Sequence, residues 1–393
     1  MGKAGILTCI QSQFWHNFLK NFLFSAQIRG LVLVFSAVLG IFVASSPLKE
    51  SYHLFLETDF CAFFPLSGLD WVNEGFLGFF FAILGIELRA DCEIGPLRNF
   101  KSALFPLFGA IGGMVLPAFI AVIASLTAPQ SAGLGGWAIP TATDAALTVP
   151  LLAMAKALPT GIRSFVSALA IFDDLGAIFV LALFYGHPPN LTWLVDALFP
   201  LVLLFFLGKS NLKSSLILLF SLPLTLLLWI FLCHAGVAPE LAGLAWGLCL
   251  PLKSGERLFA LLDLPIAWLI LPLFAFCNTG IDLTKCSLDY LQSGSFLGPF
   301  LGLLLGKPLG IAAVVVCCEK LGLPAPWHSN ERHWLIGAFL SCGIGFTISL
   351  LLSRLAYPEI EWQMQAEAGV ALASTLSAVF AYLFLKSSDA KTQ

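Results

Sequence analysis

Charge is what this chain has least of. Only 11% of its 393 residues are Asp, Glu, Lys or Arg, while 59% are hydrophobic. A soluble domain carries about 25% charged residues. So few charges cannot cover a water-facing surface of this size, which excludes an ordinary soluble enzyme, a disordered chain and a nucleic-acid binder. A bias of sign is missing too: 20 basic and 23 acidic residues leave a net charge of −3, so no strongly charged partner is implied. No CxxC pair occurs among the ten cysteines. Cys233, Cys249, Cys277, Cys317, Cys318 and Cys342 lie in or beside apolar runs and read as small apolar side chains, not as a metal site or a disulfide frame. The start lacks the basic-then-apolar layout and the small-residue cleavage site of a cleavable signal peptide.

What is present is a series of long apolar runs. They predict twelve membrane spans, near residues 30–46, 70–88, 103–126, 138–155, 163–185, 192–208, 214–233, 236–250, 257–278, 297–318, 334–353 and 364–385. Such lengths suit a hydrocarbon core about 30 Å thick. The basic residues test this count. Lys307 lies inside a span; of the rest, all but Lys49, Lys285 and Arg354 fall on the side of the N-terminus when the spans alternate. That bias predicts cytoplasmic N- and C-termini. Ahead of the first span, Phe14, Trp15, Phe18, Leu19, Phe22 and Leu23 share one helical face. They predict an amphipathic helix over 11–26 that lies in the membrane interface.

Four ionisable residues sit deep in apolar runs: Asp144, Asp173, Asp174 and Lys307. Each costs roughly 2.5–3.5 kcal/mol at bilayer depth unless it is paired, wetted or neutralised. Lys307 lies about ten residues, or roughly 15 Å, from either end of its span. Its stem cannot snorkel that far, so it requires an acidic partner on another helix. The following Pro308 leaves the Leu304 carbonyl without a helical donor. Asp173 and Asp174 point about 100° apart on a helix. One can therefore face a partner while the other faces a cavity. Two carboxylates this close repel when both are ionised, which suits a site that trades protons for a cation.

Two interruptions are also legible. Pro140 disfavours helix before it, and Thr143 and Asp144 are N-cap residue types, so the backbone is predicted to unwind near 141–143 and a half-helix to start nearby. Gly343 and Gly345 permit a matching break or a close helix contact. Spans 3–5 and 10–12 share one plan: a glycine-containing helix, an interrupted helix, a long helix. Odd spacing between the two sets predicts opposite insertion, hence an inverted repeat. Interrupted helices at corresponding places in two halves point to a transporter site.

At this point the residues resemble a known family. Ala142-Thr143-Asp144, the run from Ala168 to Ile178 with its Phe172-Asp173-Asp174-Leu175, Leu271-Pro272-Leu273-Phe274-Ala275-Phe276, Gly306-Lys307-Pro308-Leu309-Gly310 and Cys342-Gly343-Ile344-Gly345-Phe346-Thr347 are similar in order and spacing to the NhaA-type sodium/proton antiporters of bacteria, from about residue 20 to 386. The resemblance implies an all-α membrane protein of about twelve transmembrane helices, one transporter domain over 1–393. Repeats at 103–185 and 297–385 would form the transport core, 30–88 and 192–278 an interface bundle, and spans 4 and 11 two crossed, unwound helices. The implied function is secondary antiport at the bacterial inner membrane, exporting Na+ or Li+ for external H+ in pH and sodium homeostasis, with no enzymatic step and no cofactor. Asp173 and Asp174 would hold the transient Na+ and the protons, and Lys307 would pair with Asp173 when no ion is bound. Thr143 and Asp144 would lie at the crossing, where Asp144 compensates the positive half-helix ends. Glu74, Glu87 and Asp91 match an acidic cytoplasmic funnel linked to pH response, Glu74 standing where an aspartate is usual. Many members dimerise, which leaves a homodimer open.

The chain also departs from the pattern. Where some members carry a histidine at the start of span 8, it reads Gly236-Val237-Ala238-Pro239-Glu240, and Phe259 stands where an acid is frequent, with Asp263 one turn away. These positions put the pH profile in question rather than transport. A sodium-coupled organic-solute symporter of the same architecture is the alternative reading; it would not need a lysine opposed to an aspartate pair. An intramembrane aspartyl protease is a remote one, since its aspartates must face each other from two helices.

Overall fold

The computed structural model describes residues 26–59, 66–94, 100–185, 190–280 and 288–392. The interfacial helix expected over 11–26 lies outside them except for its last residue. Every regular element among the described residues is helical; pairing between extended segments is confined to two isolated bridges, Asp59 with Ser67 and Gln130 with Ser293. Helices satisfy their backbone groups internally, which is what a chain in hydrocarbon requires.

Helix α1 (Ala26–Ala44) is followed by the short α2 (Lys49–Glu57), the pair bent by 112°. Helix α3 (Gly68–Ala90) starts in a capping box formed by Ser67 and Asp70 and then widens into a π turn at Trp71–Phe76. Next come α4 (Phe100–Thr127), a 3-10 segment Leu134–Thr141 and α5 (Ala145–Met154). Helix α6 (Thr160–Val180) ends in a π turn at Leu181–Tyr185. The chain continues through α7 (Leu191–Gly208), α8 (Ser214–Ala235), α9 (Leu241–Cys249) and α10 (Leu252–Asn278). The last elements are α11 (Gly294–Lys320), α12 (Leu335–Ser341), α13 (Phe346–Ala356) and α14 (Ile360–Thr392).

Eight of the described helices are long and apolar enough to cross a membrane, or nine if the bent pair α1–α2 is one span. The other predicted spans fall on the interrupted stretch 134–154, on α6 with its two aspartates, and on the nine-residue α9. Length and composition therefore recognise fewer crossings than the twelve apolar runs, because breaks and buried charges shorten the uninterrupted apolar windows.

Burial separates two kinds of helix. In the stretch Ser329–Ala356, 83% of the apolar window is buried within the protein; in α7 only 17% is, with Leu191, Val195, Phe199 and Phe206 exposed. The outward side chains of α7 are what a lipid-facing helix needs, whereas the buried stretch must satisfy its polar groups against protein. Helix α11, which carries Lys307, docks on α4 through small residues. A Cβ at Gly112 would lie 2.5 Å from the Gly310 carbonyl oxygen, so the two backbones can touch only because both positions are glycine.

Candidate functional site

Two helix breaks meet in the buried centre. The 3-10 segment Leu134–Thr141 and α5 are separated by Ala142, Thr143 and Asp144; α12 and α13 are separated by 342–345. Asp144 N donates to the Ile344 carbonyl at 2.6 Å. Asp144 is the N-cap of α5, its Oδ1 accepting from Leu147 N at 3.2 Å, while its Oδ2 accepts from Thr347 N at 3.0 Å in the first turn of α13. Gly345, at the N-cap of α13, supplies no side-chain cap. One carboxylate thus satisfies orphan amides of two half-helices and opposes two positive helix ends. Further bonds tie the breaks together: Thr148 Oγ1 to the Ser341 carbonyl at 3.0 Å and Ser349 Oγ to the Ile139 carbonyl at 2.6 Å.

The glycines act through size. Neither Gly343 nor Gly345 has a positive φ. A Cβ on Gly343 would lie 2.7 Å from the Leu303 carbonyl, and one on Gly345 would lie 2.9 Å from the Ala142 carbonyl. Pro140 lies inside the 3-10 segment, and the helix is lost two residues after it, at Ala142.

Lys307 and Asp173 are wholly buried and form an ion pair, Nζ to Oδ2 at 2.9 Å. The Lys307 ammonium also donates to the Thr141 carbonyl that the first break frees. Thr143 Oγ1 donates to the same Asp173 oxygen at 2.6 Å and lies 3.1 Å from the Cys342 carbonyl. Lys307 emerges from a π turn at Gly302–Gly306, directly before Pro308, which has no amide to return to the preceding turn. Burying a charged pair is tolerated only with such supporting hydrogen bonds.

Asp174 is different. It is 3% exposed, its Oδ1 has no hydrogen-bond partner, and it borders a void of about 10 Å³ shared with Leu84, Leu88, Ile171, Leu175 and Leu244. That is scarcely room for one water. The charges of Asp173, Asp144, Lys307 and Glu87 all act on it. The tandem is thus divided: Asp173 Oδ2 is held by a lysine and a threonine, its Oδ1 lacking a partner as Asp174 Oδ1 does, whereas Asp174 is in no ion pair among the described residues. A buried carboxylate without a counter-charge is stable only with a proton or a cation on it.

The other predicted residues are not gathered there. Glu74 stands in the π turn of α3 and lines a cavity of about 380 Å³ together with Glu240. Glu87 is exposed and thirteen residues further along α3, about 20 Å at 1.5 Å per residue; the side chain of Asp91 lies outside the described ones. Glu74 and Glu87 therefore occupy opposite halves of one helix. Asp263 is held by Arg29 in a bidentate pair at 2.7 and 2.8 Å. Sequence reasoning missed Arg354, which pairs with the buried Glu367 at 3.2 Å and donates to the Cys277 carbonyl at 3.1 Å. Its signal was present: an acid seven residues into an apolar helix needs a partner.

The family model described as Na+/H+ antiporter 1 matches residues 20–385. The chain belongs to that family. It is 36% identical over 379 residues to the Na(+)/H(+) antiporter NhaA 2 of Pseudomonas syringae pv. syringae, covering 94% of this chain and 95% of the relative. It is 34% identical over 386 residues to the Na(+)/H(+) antiporter NhaA of Glaesserella parasuis, covering 94% and 96%. Among solved structures, the sodium proton antiporter MjNhaP1 of Methanocaldococcus jannaschii matches with a TM-score of 0.52 at 14% identity, over 92% of this chain and 90% of that one. This likeness concerns the fold: an all-helical, multi-pass membrane architecture. The family is one of Na+/H+ antiporters, which are transporters.

Proposed function

We propose that the chain is a secondary antiporter that exports Na+ or Li+ in exchange for external H+, with Asp174 and Asp173 as the shared site. The observation that carries this reading is the division of the tandem: Asp173 bound by Lys307, Asp174 buried and in no ion pair among the described residues. Sodium binds deprotonated Asp174 and draws on Asp173 as Lys307 releases it. The core repeats then rock against the interface bundle, and protons displace the cation on the other side. Two carboxylates per cation allow more than one proton per ion, so the membrane potential drives export. Because proton and cation compete for the same oxygens, acid alone stops transport without a separate gate. The reading includes twelve crossings, with the interrupted 134–154 stretch, α6 and α9 among them, and both termini on the lysine-rich cytoplasmic side of the inner membrane. Family members serve pH and sodium homeostasis, and Glu87 stands at the cytoplasmic end of α3 where it can respond to pH.

The family and the relatives are named for Na+/H+ exchange, which disfavours a solute symporter. Asp173 is committed to Lys307 rather than to a facing aspartate, which disfavours a protease. The test is exchange in proteoliposomes, read as dequenching of a pH dye when sodium or lithium is added. Asp174→Asn is expected to abolish the signal. Wild-type exchange by that variant removes the assignment.

A further inference from the structure

The cavity that holds Glu74 lies apart from the midplane site. Its walls include Asp70, Asn73 and Glu74 of α3, Leu181 and Tyr185 after α6, Glu240 before α9, and Arg354 in α13. Each of these lies at the end of its element that the alternation of spans assigns to the face poor in lysine and arginine. Leu181 is seven residues past Asp174 along α6 and its π turn, roughly 10 Å away by helical rise. The cavity is therefore a vestibule about two turns from the buried carboxylates.

The charged and titratable groups of this vestibule are unequally matched. The Asp70 carboxylate is used by Ser67 in the capping box, accepting from its hydroxyl at 2.7 Å and its amide at 3.0 Å. The Arg354 guanidinium is used by Glu367 and the Cys277 carbonyl, and the Tyr185 hydroxyl donates to the Gly135 carbonyl at 2.5 Å. Cys233 is the remaining titratable side chain on the wall. Glu240 is 4% exposed, and among the described residues only its own backbone amide meets its carboxylate. Neither Glu240 nor Glu74 belongs to an ion pair among the described residues. Behind Asn73, the wholly buried Asn278 donates to Asn73 Oδ1 at 2.8 Å and keeps its own Oδ1 without a partner.

Packing holds the two acids together. Helices α3 and α9 touch backbone to backbone, since a Cβ on Gly243 would overlap the Gly78 carbonyl. Gly78 is four residues past Glu74 and Gly243 three past Glu240, so the acids stand on the turns next to this contact, and the Glu74 charge acts on Glu240. The π turn under Glu74 is clamped by Trp229, whose Nε1 donates to the Glu74 carbonyl at 2.7 Å and whose ring stacks on Trp71 at 5.9 Å. Two acids held at an apolar depth in no ion pair among the described residues are costly in their charged form, a cost that a visiting cation, like a proton, relieves.

We propose that Glu240 and Glu74 form a second, transient site for a monovalent cation, a way-station between Asp174 and the lysine-poor face. This rests on the antiport reading above. The site draws cations to the vestibule, since the Arg354 charge on its wall is taken up by Glu367 while the two carboxylates stand in no ion pair among the described residues. Glu240 is the decisive member, because it stands in the Gly236-to-Glu240 stretch where this chain departs from the family pattern.

The experiment uses the full chain in membrane vesicles of both orientations, with radioactive sodium as the probe. Glu240→Gln is expected to raise the apparent KM for sodium at the lysine-poor face by about tenfold, within the range attributed to electrostatic focusing, with a much smaller change at the other face. The shift shrinks as choline chloride screens the cavity mouth, and Glu240→Asp recovers most of it; a purely structural defect would show neither behaviour. Glu74→Gln carries the same expectation should Glu240→Gln fail to reach the membrane. An unchanged KM at the lysine-poor face, or equal shifts at both faces, overturns the way-station. Asp174→Asn run in parallel keeps the two readings apart: its retention of exchange defeats the antiport site, whereas its inactivity beside an unaltered Glu240→Gln defeats the vestibule alone.

Discussion

The break at 142–144 reaches across with side chains, and the break at 342–345 answers with backbone. Thr143 and Asp144 engage Asp173, Cys342 and Thr347, while the second break presents the carbonyls of Cys342 and Ile344 and two glycines. The pseudo-symmetric plan of the two repeats thus hides a chemical asymmetry. A second aspartate at the facing break would place two like charges against each other in a medium that screens poorly. One carboxylate instead serves both half-helices, which demands that the opposite strand of the crossing be small enough to come within hydrogen-bond distance.

That comparison can be broken most forcefully at Asp144. Asp144→Ala orphans the buried Thr347 N, worth about 1–3 kcal/mol, and removes the side-chain cap from Leu147 N, which keeps the Asp144 backbone carbonyl as acceptor; thermal unfolding of the detergent-purified protein is expected to drop by more than for any other single change at the breaks. If unfolding is unaltered, the shared cap is not holding the centre. Gly345→Ala tests the small side. Its Cβ would press on Leu303, Ser349 and the Ala142 carbonyl, an overpacking of about 1–3 kcal/mol, with exchange reduced as the breaks are pushed apart. Tolerance of alanine with full exchange shows that the contact has slack. Thr143→Val sharpens the asymmetry with the smallest effect, about 1 kcal/mol for a lost hydrogen bond, and should alter sodium KM through Asp173 more than it alters stability. A larger loss of stability than that of Gly345→Ala reverses the ranking. Phe199→Leu on the lipid-facing α7 serves as the reference, expected within about 0.5 kcal/mol of wild type.

Much of the centre is legible in the order of the residues. Lys307 demands an acidic partner from its depth alone, and the family resemblance names Asp173 as that partner. The unwinding expected near 141–143 occurs at 142–144, where Pro140, Thr143 and Asp144 leave little alternative. Other features are hidden for physical reasons. Glu240 follows Ala238-Pro239 at a span edge and looks like an interfacial residue; only the packing of α9 on α3 buries it. Glu74 and Glu87 match one acidic cluster in a one-dimensional comparison, yet helical rise places them about 20 Å apart. The span count suffers similarly, because interrupted and nine-residue helices carry the polar chemistry and so lack the long apolar window that identifies a crossing.

Residue composition alone settled the medium. Transfer free energy belongs to each side chain, so 59% hydrophobic residues in long runs meant a bilayer, and charges within those runs meant a functional interior. Which aspartate meets the lysine, which one does not, and which acids share a vestibule depended on helix rotation and on how closely glycine-lined backbones approach. Those quantities arise only when separate segments pack, since no property of a single segment specifies the face its neighbour will cover.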